Sequence, residues 1–137
     1  MIEYTDSSEG ITPDMLQGFF VGWRKPHDEV APLRDRPETH LRILGNSSVV
    51  ILALDPDLRR VVGFVAAITD HIQQAFIYLL EVLPSYQNQG IGTGLMRRVL
   101  DKLEGIPCVD LTCYPALQPF YARFGMQPSV GMVIRNY

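Results

Sequence analysis

The sequence predicts a mixed α+β fold in which helices cover one sheet. Three observations carry this. Three β-rich apolar runs follow one another over residues 48–54, 61–69 and 75–83 with only short turns between them. A glycine-containing turn then joins the third run to an amphipathic helix, and beyond it the pattern alternates strand, helix, strand.

In chain order, residues 2–5 form a short first strand. Thr12 and Pro13 supply an N-cap and a first-turn proline for a helix carrying Met15, Leu16, Phe19, Phe20 and Trp23. Residues 24–37 mix both signs of charge with Pro26, Pro32 and Pro37 and lose periodicity, the signature of a long surface loop. A second helix spans residues 38–44, with Leu41 and Leu44 on one face and Gly45 or Asn46 at its end. Asp55, Pro56 and Asp57 supply hairpin turn chemistry between the first two runs of the meander, and Pro84 removes a ladder donor and ends the third. From Gly92, Leu95, Met96, Val99, Leu100 and Leu103 follow helical spacing until Gly105 and Pro107 stop the helix. Residues 108–113 then read as a strand, 117–124 as a helix closed by Gly125, and 130–135 as a last strand.

A length of 137 residues with 47% hydrophobic content suits one packed domain, residues 1–137. Twelve basic against fifteen acidic residues, a net charge of −3, lack the basic excess that nucleic-acid binding needs. No apolar run approaches the roughly 20 residues that span a bilayer, so no membrane partner is expected. Residues 1–10 carry Glu3, Asp6 and Glu9 and have no secretory pattern, which points to the cytoplasm. Cys108 and Cys113 lie on one strand about 16 Å apart, too far to bridge each other. His27, His40 and His71 have no metal-ligand spacing, and no metal is expected.

The chemistry concentrates in residues 81–93. The first N–H groups of a helix have no internal partner and carry roughly half a positive charge, and Gly90 and Gly92 let a pyrophosphate approach them. A tight connection whose glycines serve packing alone is the other reading. A dinucleotide fingerprint starting at Gly90 would require a small residue where Leu95 stands, and a Walker loop requires a Gly-Lys pair that the chain lacks.

Gln87-x-x-Gly90-x-Gly92, after Val82-Leu83-Pro84 and before Leu95-Met96, resembles the acyl-CoA signature of the GNAT superfamily of N-acetyltransferases. The run from Phe120 through Tyr121 to Gly125 and Met126 resembles that superfamily's second motif. The resemblance covers roughly residues 48–128. It implies a mostly antiparallel central sheet with splayed middle strands, flanked by about four helices. The pantetheine arm of acetyl-CoA would lie between the splayed strands like an added strand. Leu80, Glu81 and Val82 would then offer main-chain contacts to pantetheine and thioester. Gln87, as part of the signature, with Asn88, Gln89, Gly90, Ile91, Gly92 and Thr93, would surround the pyrophosphate.

The implied activity is direct acetyl transfer to a primary amine, expected to be a small molecule. An alkylamine is neutral in only about one molecule in 2500 at pH 7, so a base is required, together with an oxyanion donor and an acid at sulfur. The resemblance makes Tyr121 the acid and an N–H near Val82 the oxyanion donor; aromatic packing is the other reading of Tyr121. Glu81 is the candidate base because it is the one carboxylate in the third run, although a solvent-facing position would explain it equally. Val109 stands where some members carry a catalytic glutamate, Tyr114 where many have asparagine, and Leu117 where alanine is common. A non-catalytic acyl-CoA sensor and a protein or peptide N-acetyltransferase are the alternatives. The acceptor loop would include Trp23, Arg24, Lys25, His27, Asp28 and Glu29; an aromatic with acidic neighbours suits a cation, while Arg34 and Arg36 in the same region leave its sign open. By analogy, the final strand could pair with a second subunit in a homodimer.

Overall fold

The computed structural model describes residues 1–20 and 36–136. Its sheet takes the order β1 (Glu3–Thr5), β2 (Val49–Asp55), β3 (Arg60–Thr69), β4 (Gln74–Val82) and β5 (Cys108–Asp110). The first four strands pair antiparallel, and β4 pairs parallel with β5. Helices α1 (Pro37–Asn46), α2 (Ile91–Lys102) and the short α3 (Gln118–Ala122) complete the regular structure, with 3-10 turns at Pro13–Leu16, Pro84–Tyr86 and Pro115–Leu117. The predicted mixed α+β layout is found, with three α-helices among the described residues where about four were expected.

Strand alternation divides the core into two layers. Gly63 and its cross-strand partner Val82 face α2: a Cβ at Gly63 would lie 3.1 Å from Leu95 and 3.2 Å from Ile91. A side chain there would crowd both, so glycine lets α2 lie close on the strand. Phe64 and Glu81, the next pair, point to the opposite face, where Phe64 meets Phe19, Phe20 and His40. The hairpin joining β2 to β3 closes as expected, with Asp55 Oδ1 accepting from the Asp57 and Leu58 N–H groups. Asp70 Oδ1 does the same for Ile72, Gln73 and Gln74 in the next turn, and these bonds hold its carboxyl below the usual carboxylate range.

Three sequence expectations need correction. The first helix is only the 3-10 turn Pro13–Leu16, after which Gly18 (φ 94°) and Phe20 (φ 66°) bend the chain in left-handed conformations that a helix cannot contain. Trp23 and residues 24–35 of the expected loop, His27, Asp28 and Glu29 included, lie outside the described residues. The strand expected over 108–113 pairs only through Asp110. No strand forms over 130–135, where Val130 and Met132 are 98% and 100% exposed.

His40 is the other surprise, since it is 1% exposed rather than solvated. Its ring packs against Phe19, Phe20 and Phe64 at centroid distances of 5.3, 5.2 and 4.4 Å, and neither ring nitrogen has a hydrogen-bond partner. Burial drives its pKa down from 6.5 to about 4. Above pH 6.5 both folded and unfolded chains carry this histidine neutral. As pH falls from 6.5 toward 4 the unfolded chain gains a proton that the folded one refuses, and stability drops by up to about 3 kcal/mol. Urea denaturation at pH 7.5 and pH 5 should therefore show a clear loss for the native sequence, and a markedly smaller one for His40→Leu.

Candidate active site

The site begins where the sheet stops being continuous. Of the nine residues of β4, only Gln74, Ala75 and Phe76 pair with β5. The β3–β4 register then shifts, because Ala66 faces Leu79 while Ala67 faces Ile77, which leaves Tyr78 as an extra residue on β4. Its hydroxyl lies 2.5 Å from Ser47 Oγ at the end of α1. Past this bulge, the β5 side of β4 has no strand partner among the described residues.

Main-chain alternation determines what that open edge offers. The Leu83 N–H donates to Val62 O at 2.9 Å, so the N–H and C=O of Val82 turn the other way, toward the opening. Leu80, two residues back, shares that direction. The backbone of Glu81 turns instead to β3 beside Phe64. Of the three residues expected to offer main-chain contacts, Leu80 and Val82 turn their main chain to the opening, whereas Glu81 turns its own to β3 and presents a side chain on the α1 face.

The turn that follows is folded by its own side chains. Gln87 Nε2 donates to Val82 O at 2.9 Å and Gln89 Nε2 to Ser85 O at 3.2 Å. Both amide groups therefore shape the loop rather than stand free. Tyr86 Oη donates to Asp55 Oδ2 at 2.7 Å, tying the turn to the β2 end and holding the Asp55 carboxyl below its usual range. Asn88 (φ 62°) and Gly90 (φ 82°) take left-handed conformations that aim the chain into α2. The first helical bond runs from Gly94 N–H to Gly90 O at 2.9 Å, leaving the N–H groups of Ile91, Gly92 and Thr93 at the helix opening. A Cβ on Gly90 would meet nothing within 4 Å, so there is room beside these donors for an anion.

α3 packs against this same opening. A Cβ at Gly92 would contact Phe120 Cζ at 3.5 Å, and Arg123 Nη2 donates to Thr93 Oγ1 at 3.3 Å. Tyr121 is half-buried beside Phe120, with ring centroids 5.0 Å apart. Burial, and then the neighbouring Cys113 thiol, push its phenol up to about 12, so it is protonated throughout the neutral range. The Glu81 carboxylate accepts from the Phe20 N–H, at 3.0 Å to Oε2 and 3.2 Å to Oε1. Sequence reasoning gave Phe20 a place on a helix face and missed this contact, which depends on the left-handed turn at Phe20. It equally missed the Tyr86–Asp55 bond, for which a pairing 31 residues apart left no local signal. Both cysteines are free, and among the described residues no group of three or more His, Cys, Asp or Glu could hold a metal ion. No helix among the described residues is long and apolar enough to cross a membrane.

Comparison with known proteins settles the family. The model of the Acetyltransferase (GNAT) family matches residues 12–126. This chain belongs to the GNAT acetyltransferases. A candidate acetyltransferase of known structure from Deinococcus radiodurans is 41% identical and superposes with a TM-score of 0.87, covering 98% of this chain and 88% of that one. GCN5-related N-acetyltransferase 1 of Arabidopsis thaliana, a chloroplastic protein, is 28% identical over 87% of this chain and 58% of its own length. A ycf52-like N-acetyltransferase of Prochlorococcus marinus, uncharacterized, is 37% identical over 52% of this chain and 41% of its own length. The chain thus spans about half the length of the curated relatives it matches. The GNAT resemblance read from residues 48–128 is correct, and so is the sheet it implied, with its fourth and fifth strands parting.

The two signature glycines have different physical duties, and substitution should separate them. Gly90→Ala forces an L-residue into left-handed backbone and should cost about 1–2 kcal/mol in thermal or urea denaturation. Gly92→Ala sits in helical backbone with only ordinary contacts and should leave stability within about 0.5 kcal/mol or raise it. Calorimetry with coenzyme A on the folded Gly92→Ala protein should show weakened binding if its Cβ intrudes on the phosphate approach.

Proposed function

We propose that this GNAT protein transfers the acetyl group of acetyl-CoA directly to the primary amine of a small molecule, within a ternary complex and without a metal. One observation carries the reading: β4 loses its neighbour after Phe76, and its unpaired edge leads directly into the Gly90 turn at the start of α2. An extended pantetheine arm can pair with the Leu80 and Val82 main chain as an added strand. The same molecule's pyrophosphate then meets the N–H groups of residues 91–93, bordered by Asn88, Gln89 and Gly90. The Gln87 side chain contributes by holding the turn closed against Val82 O.

The Val82 N–H, turned toward the opening, is positioned to donate to the thioester oxygen as negative charge develops on it. Glu81 lies on the opposite, α1 face of the sheet, where it can take the proton that an ammonium must lose before nitrogen attacks carbon, directly or through water. The amine nitrogen forms the new C–N bond, the C–S bond breaks, and coenzyme A leaves as thiolate. Tyr121 supports that departure. A phenol near 12 is a weaker acid than an ordinary thiol near 8.5, so it acts chiefly as a hydrogen-bond donor to the departing sulfur. Nitrogen sheds two protons in all: the first goes to Glu81 before attack and on to solvent, and the second, lost as the amide forms, protonates the departing thiolate to coenzyme A thiol.

The sequence around Trp23 carries Asp28 and Glu29, which suit an ammonium group, and also Arg24, Lys25, Arg34 and Arg36, so the acceptor is identified by the amine panel below rather than by the charge of this region.

Release of free thiol from acetyl-CoA, screened over a panel of small amines and lysine peptides, tests the reading directly. Small amines should release thiol and peptides should not. Tyr121→Phe should lower kcat by about 10²-fold or more while coenzyme A still binds; loss of binding without a change in kcat would remove its assigned role. Glu81→Gln retains an acceptor for the Phe20 N–H, so the fold should persist. Its kcat/KM should fall by a similar factor. If acetyl-CoA raises the melting temperature but no amine in the panel releases thiol, the protein is a sensor.

A further inference from the structure

One extra residue decides which groups β4 offers to each side of the sheet. From the hairpin to the pair Ala67 and Ile77, β3 and β4 run in one register; from Ala66 and Leu79 onward they run one residue later, and Tyr78 is the residue inserted. Continuing the first register would set Glu81 opposite Gly63, beneath Ile91 and Leu95 of α2, where a carboxylate would be buried among apolar side chains. The main chain changes phase with the side chains. On the hairpin side Gln74 O accepts from the Asp70 N–H, so the even-numbered residues of β4 turn to β3 there. Beyond the bulge the Leu83 N–H donates to Val62 O, and the odd-numbered residues do. The insertion therefore places the Glu81 carboxylate on the α1 face and, by the same step, frees the main chain of Leu80 and Val82 for the opening.

A pair of hydroxyls holds that insertion in place. Tyr78 Oη and Ser47 Oγ lie 2.5 Å apart, on two half-buried side chains. Ser47 Oγ gives its single proton to Ile43 O at 2.8 Å, so Tyr78 is the donor between the two. Ser47 is the residue that closes α1, and the next residue, Ser48, donates its N–H to Ala67 O at 3.0 Å, on the β3 side of the same bulge. The end of α1 thus meets both strands where their register changes. Nearer its start, the same helix approaches Glu81. His40 packs on Phe20 and Phe64, and the Phe20 N–H donates to the carboxylate.

We infer that Ser47 and Tyr78 are positioning residues for acetyl transfer: their hydroxyl pair pins the inserted residue of β4 to α1 and so keeps the phase in which Glu81 faces one side and the Leu80 and Val82 main chain the other. The inference rests on the acetyl-CoA reading above, and neither hydroxyl touches the reacting atoms. A bulge can pass along its strand by handing the extra position to a neighbour, and each step re-aims the residue it passes, first Leu79 and then Leu80. Apolar neighbours such as Ile77, Leu79 and Leu80 give little reason for the bulge to stop at one of them. A directional bond from Tyr78 to the helix end selects the position. Phenylalanine would fill the same space without it, which separates the hydroxyl from the ring.

Calorimetry with coenzyme A reads the phase of the Leu80–Val82 edge without needing the amine acceptor. Tyr78→Phe and Ser47→Ala should each weaken binding about threefold to tenfold, and the double variant should lose no more than the worse single one, because the hydroxyls act as a pair. Ser47→Thr keeps a hydroxyl and should bind as the parent does. Proton NMR supplies a signature on the other face. The Phe20 amide, assigned by its response to Glu81→Gln, should move upfield in both single variants as its bond to the carboxylate lengthens, and stay in place in Ser47→Thr. A bond that serves stability alone would lower the melting temperature of the variants and leave affinity and the Phe20 signal as in the parent; that result overturns the inference, as do additive losses of affinity. A parent that binds no coenzyme A overturns the acetyl-CoA reading and this inference with it, whereas a binding parent with insensitive variants overturns the inference alone.

Discussion

A sheet must satisfy the main-chain groups of every strand, and this molecule departs from that requirement at one place. After Phe76, the edge of β4 has N–H and C=O groups directed into space that β5 does not fill. The extra residue at Tyr78 stands two residues beyond the last β5 pair, and a bulge of this kind bends and twists the strand that carries it. The surroundings arrange themselves around that gap. Gln87 satisfies one exposed carbonyl, Pro84 ends strand pairing, and α2 begins with its donors turned to the same opening.

The two faces of the sheet divide the labour of the proposed chemistry. On one, α2 and α3 form the wall where phosphates and sulfur would lie, and Arg123 to Thr93 keeps those helices in contact. On the other, Glu81 is tied to the chain at Phe20, within an aromatic cluster that includes a fully buried histidine. Acetyl donor and acceptor would thus approach from opposite sides of one strand. An aromatic cage that holds His40 neutral keeps charge out of the core directly under Glu81's neighbour Phe64.

Much of this was legible in the residues. The meander, the proline stop and the amphipathic helix are local patterns, and each strand of the meander lies within a residue or two of its expected limits. The paired motifs around Gly90 and Tyr121 marked the family because spacing along a turn and a short helix is preserved in sequence. What escaped was whatever depends on distant partners. Gly18 and Phe20 break an apolar stripe that reads as helical, and only positive φ angles reveal why. His40 resembles any polar residue on a half-exposed helix until Phe19, Phe20 and Phe64 close over it. Residues 108–113 and 130–135 have strand composition, yet a strand needs a neighbour, and among the described residues only 108–110 have one. Gln87 could be recognised as part of a signature, whereas its duty as a clasp on Val82 O required coordinates.

Gly63 has the smallest side chain in its strand, and it lies directly below the first turns of α2. A methyl group there would press on the Leu95, Ile91 and Val82 side chains at 3.1, 3.2 and 3.3 Å, so the close seat of those first turns on the sheet depends on the bare α-carbon beneath them.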